Sequence, residues 1–162
     1  WEKLAYNNIE SFLEIEMPKE IIIFVVMSER GLGGGANLSG EGITLEIGST
    51  NVTSGNILEV LMHEIIHFAS HNKTIKLLIE NNVQEPHIVE EAVVHSLATN
   101  SGLLSQKIKL SKGEYLTINS KEIIECKENI KDIISARLEG NIQSYEEFII
   151  KIKERLSEVA GS

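Results

Sequence analysis

Apolar positions along this chain recur at two spacings, one of three to four residues and one of two, and their alternation outlines an α+β fold. From Glu2 to Met17, Leu4, Ile9, Phe12, Leu13 and Ile15 fall near helical spacing and stop before Pro18, which predicts an amphipathic helix packed on the core. Ile21 to Met27 is a β-branched apolar run of strand length. Gly42 to Gly48 alternates Ile43, Leu45 and Ile47 with polar residues, as a half-buried edge strand does. Between these two segments lies Gly31-Leu32-Gly33-Gly34-Gly35-Ala36-Asn37. Phosphate-binding loops are similarly rich in glycine, but here no Lys-Ser/Thr pair closes the motif and no helix follows directly. A mobile β-β connection is predicted instead.

Helical spacing dominates the rest. Ser54 is a candidate cap for a helix carrying Ile57, Leu58, Leu61, Ile65, Ile66 and Phe68 as far as His71 or Asn72. A short piece from Thr74 to Glu80 follows, broken by Asn81-Asn82. Pro86 at a first helical position then opens a helix to about Asn100, before Gly102. Lys107 to Leu110 and Tyr115 to Ile118 flank a polar turn and predict a small hairpin. Asn119 or Ser120 caps a helix with Ile123, Ile124, Ile130, Ile133, Ile134 and Leu138, stopped at Gly140. Ser144 and Glu147 form a capping-box pattern for a last helix through about Val159.

A chain of 162 residues has room for one domain with a substantial core. The expected organisation is a single domain over 1–162. Residues 1–72 supply the first helix, a small mixed or antiparallel sheet and the helix it packs on, and 73–162 form a mostly helical second half. A hydrophobic share of 42% and a charged share of 24% are those of globular proteins. The net charge of −9, with Asp132 the single Asp among 24 acidic residues, repels phosphate backbones and anionic lipid and argues against nucleic acid as a partner. Ile21 to Met27 is the longest apolar run, far below the ~20 residues of a bilayer-spanning helix, so no membrane span is expected. Cys126, the single cysteine, excludes an intramolecular disulfide and is compatible with a reducing or an oxidising compartment. The chain opens on Trp1 rather than Met, which is compatible with a signal peptide, an anchor or another domain upstream, so no compartment is assigned.

The candidate chemistry is concentrated in His63-Glu64-Ile65-Ile66-His67. Residues four apart on a helix stand one above the other, so His63 and His67 can turn their imidazoles toward one cation, and zinc accepts such a pair. Glu64 is rotated by about 100° from His63, within reach of a metal-bound water without being forced onto the metal, and its natural role is general base. A catalytic zinc keeps three protein ligands and an open position, so a third ligand is required. Exposed helix histidines that bind nothing are the plainer reading of the pair, and the apolar back face of the helix weighs against it.

The pentapeptide resembles the signature of zincin metallopeptidases, and the match is His63, Glu64 and His67. The resemblance extends over roughly Ile43 to Asn100 and implies a hydrolase of peptide bonds, with peptide or protein as substrate and one Zn2+ as cofactor. In the gluzincin subgroup, which includes the thermolysin-like enzymes, a glutamate on a following helix completes the zinc site. Glu91 and Glu90 are the candidates. Glu91 is preferred because a thermolysin-like pattern puts a polar supporting residue four positions after the ligand, and that offset falls on His95, whereas Glu90 is followed by Val94. The chain departs from that pattern in a longer gap between His67 and Glu91 and in having His95 where an acidic residue is usual. Zincins also bind substrate as an added strand along an edge strand above the helix, a role the resemblance gives to Gly42 to Gly48, with the glycine loop as a flap.

Other ligand schemes fit less well. His63 and His71 are about 12 Å apart along a straight helix, so His71 cannot join both other histidines on one ion and reads as a surface residue at the helix C-terminus. His87 and His95 read as structural or as supports for ligands. Cys126 lies downstream, whereas peptide deformylases, which share the pentapeptide, carry their cysteine upstream. It reads as a buried, unreactive thiol. For the oxyanion that forms during hydrolysis, His95, Tyr115, Tyr145 and Arg137 are the candidate donors. The alternative to an enzyme is a catalytically silent zincin-fold domain that binds metal or a partner, and Glu64 argues against it because structural zinc needs no base.

Overall fold

A computed structural model describes residues 2–29, 31–37, 42–48, 52–99 and 120–161. Among them are five helices and a three-stranded mixed sheet, an α+β arrangement dominated by helix. The predicted hairpin at 107–118, with Tyr115, lies outside the described residues.

Helix α1 spans Glu2–Leu13 and ends earlier than Met17. Glu14 adopts φ 51°, a left-handed conformation that turns the chain out of the helix. The backbone N–H of Met17 is then received by the Glu10 carboxylate at 2.8 Å. Met17 still reaches the core, which is why the apolar pattern outlasts the helix.

The strands are β1 (Ile23–Ser28), β2 (Gly33–Asn37) and β3 (Gly42–Gly48), in the order β1-β3-β2. β1 runs parallel to β3 with Ile23 opposite Ile43, and β2 runs antiparallel to it with Ala36 opposite Ile43. Two expectations are corrected here. Gly42 to Gly48 is the central strand and not an edge. The glycine-rich segment is not a loose connection but an edge strand hydrogen-bonded into the sheet. Its missing side chains conceal it from a reading based on alternation, because a strand of glycines has no apolar period to detect. β3 buries Ile43 and Leu45, while β1 leaves Phe24, Val25 and Met27 exposed.

Helix α2 (Ser54–Glu80) is one continuous helix of 27 residues rather than two pieces. Thr53, not Ser54, caps it: its Oγ1 receives the N–H of Asn56, whose side chain receives the N–H of Thr53 in return. No Gly or Pro lies between His71 and Glu80, and Thr74 and Leu78 carry the buried face across the expected break. The helix ends where Asn82 turns left-handed, at φ 56°, and Val83 N–H reaches back to the Leu78 carbonyl.

α3 (Pro86–Thr99), α4 (Lys121–Leu138) and α5 (Tyr145–Ala160) follow, with Ser120 and Ser144 capping the last two as expected. α3 is flanked by α2 and α4, and α5 packs on α4 and α2. The core joins α1, through Ile9, Phe12 and Leu13, to Ile66 and Leu78 of α2, Val93 and Leu97 of α3, Ile130 of α4 and Phe148 of α5. The packing of α2 against α3 is what brings the histidines of one to the glutamates of the other.

Candidate metal centre

On α2, His63, Glu64, His67 and His71 fall on the side covered by α3 and β2, and α3 answers with Glu90, Glu91 and His95. The Nε2 atoms of His63 and His67 are 3.2 Å apart. Glu91 closes the triangle, with one oxygen 3.2 Å from His63 Nε2 and the other 2.9 Å from His67 Nε2. Four donors held about 2.0–2.1 Å from a tetrahedral zinc stand about 3.3 Å from one another. The separation of the two imidazole nitrogens fits that figure, the two Glu91 contacts are made by different oxygens of one carboxylate, and one donor atom from each of the three residues lies within 4.8 Å of the others. Two imidazoles with one carboxylate are a donor set that suits zinc.

Glu90 faces a different way. Its carboxylate, almost wholly buried, lies 3.1 Å from His67 Nδ1 and 2.8 Å from His71 Nδ1. His67 thus has a carboxylate on each ring nitrogen, Glu91 at Nε2 and Glu90 at Nδ1. Histidines that bind metals commonly donate their second N–H to a carboxylate, which fixes the tautomer and the ring plane. His71, Glu90 and His67 also lie close enough to gather about a cation. The two clusters share His67, and serving both through its two nitrogens would require an imidazolate, so they compete.

No family model, curated protein or solved structure matches the chain. Its reading rests on its own residues.

Burial and charge set the protonation of the cluster. Burial works against the His67 cation, but hydrogen bonds to Glu90 and Glu91 overcome it and push the group up to about 9. Burial would raise Glu91, yet hydrogen bonds from His63 and His67 hold its carboxyl well below the usual range. Glu64, buried beside them, is raised above the ordinary carboxyl range by desolvation. His63 and His67 oppose that rise, Glu91 adds to it, and the backbone N–H of Ala36 in β2 favours the ionised form. Glu64 interacts electrostatically with His63, His67 and Glu91 and is not one of the three residues that gather as possible ligands.

The remaining candidates separate. His71 is not at a helix end: α2 continues nine residues beyond it, to Glu80, and the ring is half-enclosed, bonded to Glu90 and stacked on His87 at 6.0 Å between centroids. His95 packs edge-on to His63 at 6.3 Å, and its Nδ1 receives a hydrogen bond from Lys127 Nζ at 3.1 Å. It does not satisfy His63, whose buried Nδ1 has no hydrogen-bond partner among the described residues. Tyr145 is fully buried, and its hydroxyl is bonded to Thr74 at 2.9 Å. Thr74 is seven residues beyond His67, about 10 Å along the helix, so Tyr145 is a core residue rather than an oxyanion donor. Arg137 donates to the carbonyls of Phe12 and Ile142 and to Glu14, tying α1 to α4, and is likewise committed elsewhere. Cys126 is buried in the core, and desolvation pushes its thiol up to about 11.

Sequence reasoning did not pair His71 with Glu90 and missed β2 altogether. The spacing of His67 and His71 was the available signal for the first, since both project from the same face of α2.

Proposed function

We propose that this chain is a zinc-dependent hydrolase of zincin-like architecture, a compact gluzincin-like peptidase. His63, His67 and Glu91 are its metal ligands and Glu64 is its general base. The observation that carries this reading is the triangle of His63 Nε2, His67 Nε2 and the Glu91 carboxylate, with edges of 3.2, 3.2 and 2.9 Å. Glu64 beside it is what a purely structural site has no use for.

When bound, zinc supplies a Lewis acid that lowers the pKa of a coordinated water toward ~7 and polarises a carbonyl oxygen. The protein supplies the remainder. Glu64 takes the proton from the attacking water and delivers it to the amine that leaves, so the carboxylate ends the cycle ionised as it began. Its burial helps, because a carboxyl raised above the ordinary range is both a stronger base and a group able to hold the proton between the two transfers. Glu90 holds the His67 ring by its far nitrogen. The main chain of a peptide substrate is read along the outer side of β2, the edge strand packed on α2. That role passes to β2 from Gly42 to Gly48, which is enclosed between two strands.

The test is Glu64→Gln with zinc content and cleavage of a mixed set of fluorogenic peptides measured together. Retained zinc with turnover reduced by about 10²–10⁴-fold supports the assignment. A wild-type chain that binds zinc and cleaves nothing identifies a catalytically silent metal-binding domain instead.

A further inference from the structure

We propose that β2 seats the general base: the space left by the missing side chain of Gly34 and the backbone N–H of Ala36 together hold the Glu64 carboxylate in its working position. The inference rests on the role given to Glu64 above and assigns two positioning residues to it.

Three consecutive glycines occupy β2, and they are not equivalent. A Cβ on Gly34 would lie 2.6 Å from Glu64 Cγ, 2.9 Å from Glu64 Oε1 and 2.9 Å from Val60 Cγ1. A Cβ on Gly35 would meet nothing within 4 Å, and one on Gly33 would make only ordinary contact with Glu46, at 3.8 Å. Close approach to the site therefore explains the glycine at position 34 alone. Val60, one turn before Glu64 on α2, is itself buried and blocks retreat in its direction. Two residues further along the strand, where side chains and backbone groups recur in the same orientation, the Ala36 N–H bonds the Glu64 carboxylate. One position gives room and the other gives direction. Both come from a strand clamped to β3 over Gly33–Asn37, so the carboxylate is referenced to the sheet as well as to its own helix.

A carboxylate displaced by about 1 Å from a reacting water can lose about 100-fold in rate with no loss of binding. Gly34→Ala is therefore expected to lower kcat on fluorogenic peptides by about 100-fold, while KM and zinc affinity stay within about twofold of wild type. Gly35→Ala adds the same methyl to the same strand, where it meets nothing within 4 Å, and so carries whatever effect a methyl in β2 has on substrate pairing and on the strand itself. The proposal expects its kcat to exceed that of Gly34→Ala by at least about 30-fold. Equal losses in the two variants, or a Gly34→Ala defect confined to KM or to zinc binding, would overturn it.

A second measurement needs neither turnover nor tolerance of a methyl in β2. In zinc-free protein, amide hydrogen exchange at Ala36 should accelerate at least about tenfold in Glu64→Ala, because the acceptor is gone. Unchanged protection of Ala36 in Glu64→Ala overturns the seat directly. If the chain cleaves no peptide, the hydrolase reading fails on its own account and the Ala36 exchange still decides whether β2 holds Glu64.

Discussion

His63 and His67 direct their Nε2 atoms to within 3.2 Å of each other, and each contacts a different oxygen of Glu91. Two imidazole nitrogens with lone pairs directed at one point repel each other, and only a cation or a shared proton makes that arrangement favourable. In the absence of metal, the burial of His67 is outweighed by the carboxylates at both its ring nitrogens, which favour its cation and raise the group to about 9. The competition between the proton of that cation and a metal has measurable consequences.

Zinc affinity should follow the titration of His67. Below about 9 the ring is protonated and must lose its Nε2 proton to bind, so the apparent affinity should rise about tenfold per pH unit toward that value from this group alone, then level off. Stability of the metal-free protein runs the other way. The folded group titrates near 9 and the unfolded one near 6.5, so its contribution is fully present below the lower value and lost as pH rises through the upper one. Calorimetric zinc titrations at pH 7.5 in buffers of different ionisation enthalpy should report at least about one proton released per zinc bound, the share of His67 adding to that of any coordinated water. A proton count of zero would show that His67 is not displaced by metal.

Glu90 and Glu91 should differ in kind. Glu91→Ala removes a proposed ligand and should weaken zinc binding more than Glu90→Ala does. Glu90→Ala leaves the donor triangle complete but strips the acceptor from His67 Nδ1 and His71 Nδ1, and a loss of about 10–100-fold is expected. Competition against a zinc-responsive dye measures both. A larger loss in Glu90→Ala than in Glu91→Ala would exchange the two roles.

Tyr145 should matter to stability and not to chemistry. Tyr145→Phe leaves Thr74 Oγ1 buried without its partner across the α2–α5 contact, at a cost of about 1–2 kcal/mol in urea unfolding. Turnover under native conditions should be unchanged. A defect in kcat without a stability loss would return Tyr145 to the site.

The sequence made the helical part of this architecture legible because helices announce themselves twice, by the period of their apolar face and by their caps. Ser120, Ser144 and Gly140 all stand where those rules put them. The nearness of His63 and His67 on α2 was legible for the same reason, since helix geometry alone brings them to one face. Errors arose where tertiary structure decides. Nothing local distinguishes a central from an edge strand, and it is β2 on its far side that makes Gly42–Gly48 central. A strand of glycines is silent to any hydrophobic pattern, although Gly34 is set against Glu64. The division of labour between Glu90 and Glu91 depends on how α3 is rotated against α2, and adjacent positions on a helix, about 100° apart, differ too little in their apolar neighbours to fix it in advance.

The central claim is that one zinc ion is held by His63, His67 and Glu91, and a zinc-edge anomalous difference map from crystals grown with zinc tests it most directly. The account predicts a single strong peak about 2 Å from His63 Nε2, His67 Nε2 and a Glu91 oxygen, with Glu64 outside bonding distance. A peak among His67, His71 and Glu90, or no peak at saturating zinc, would contradict it.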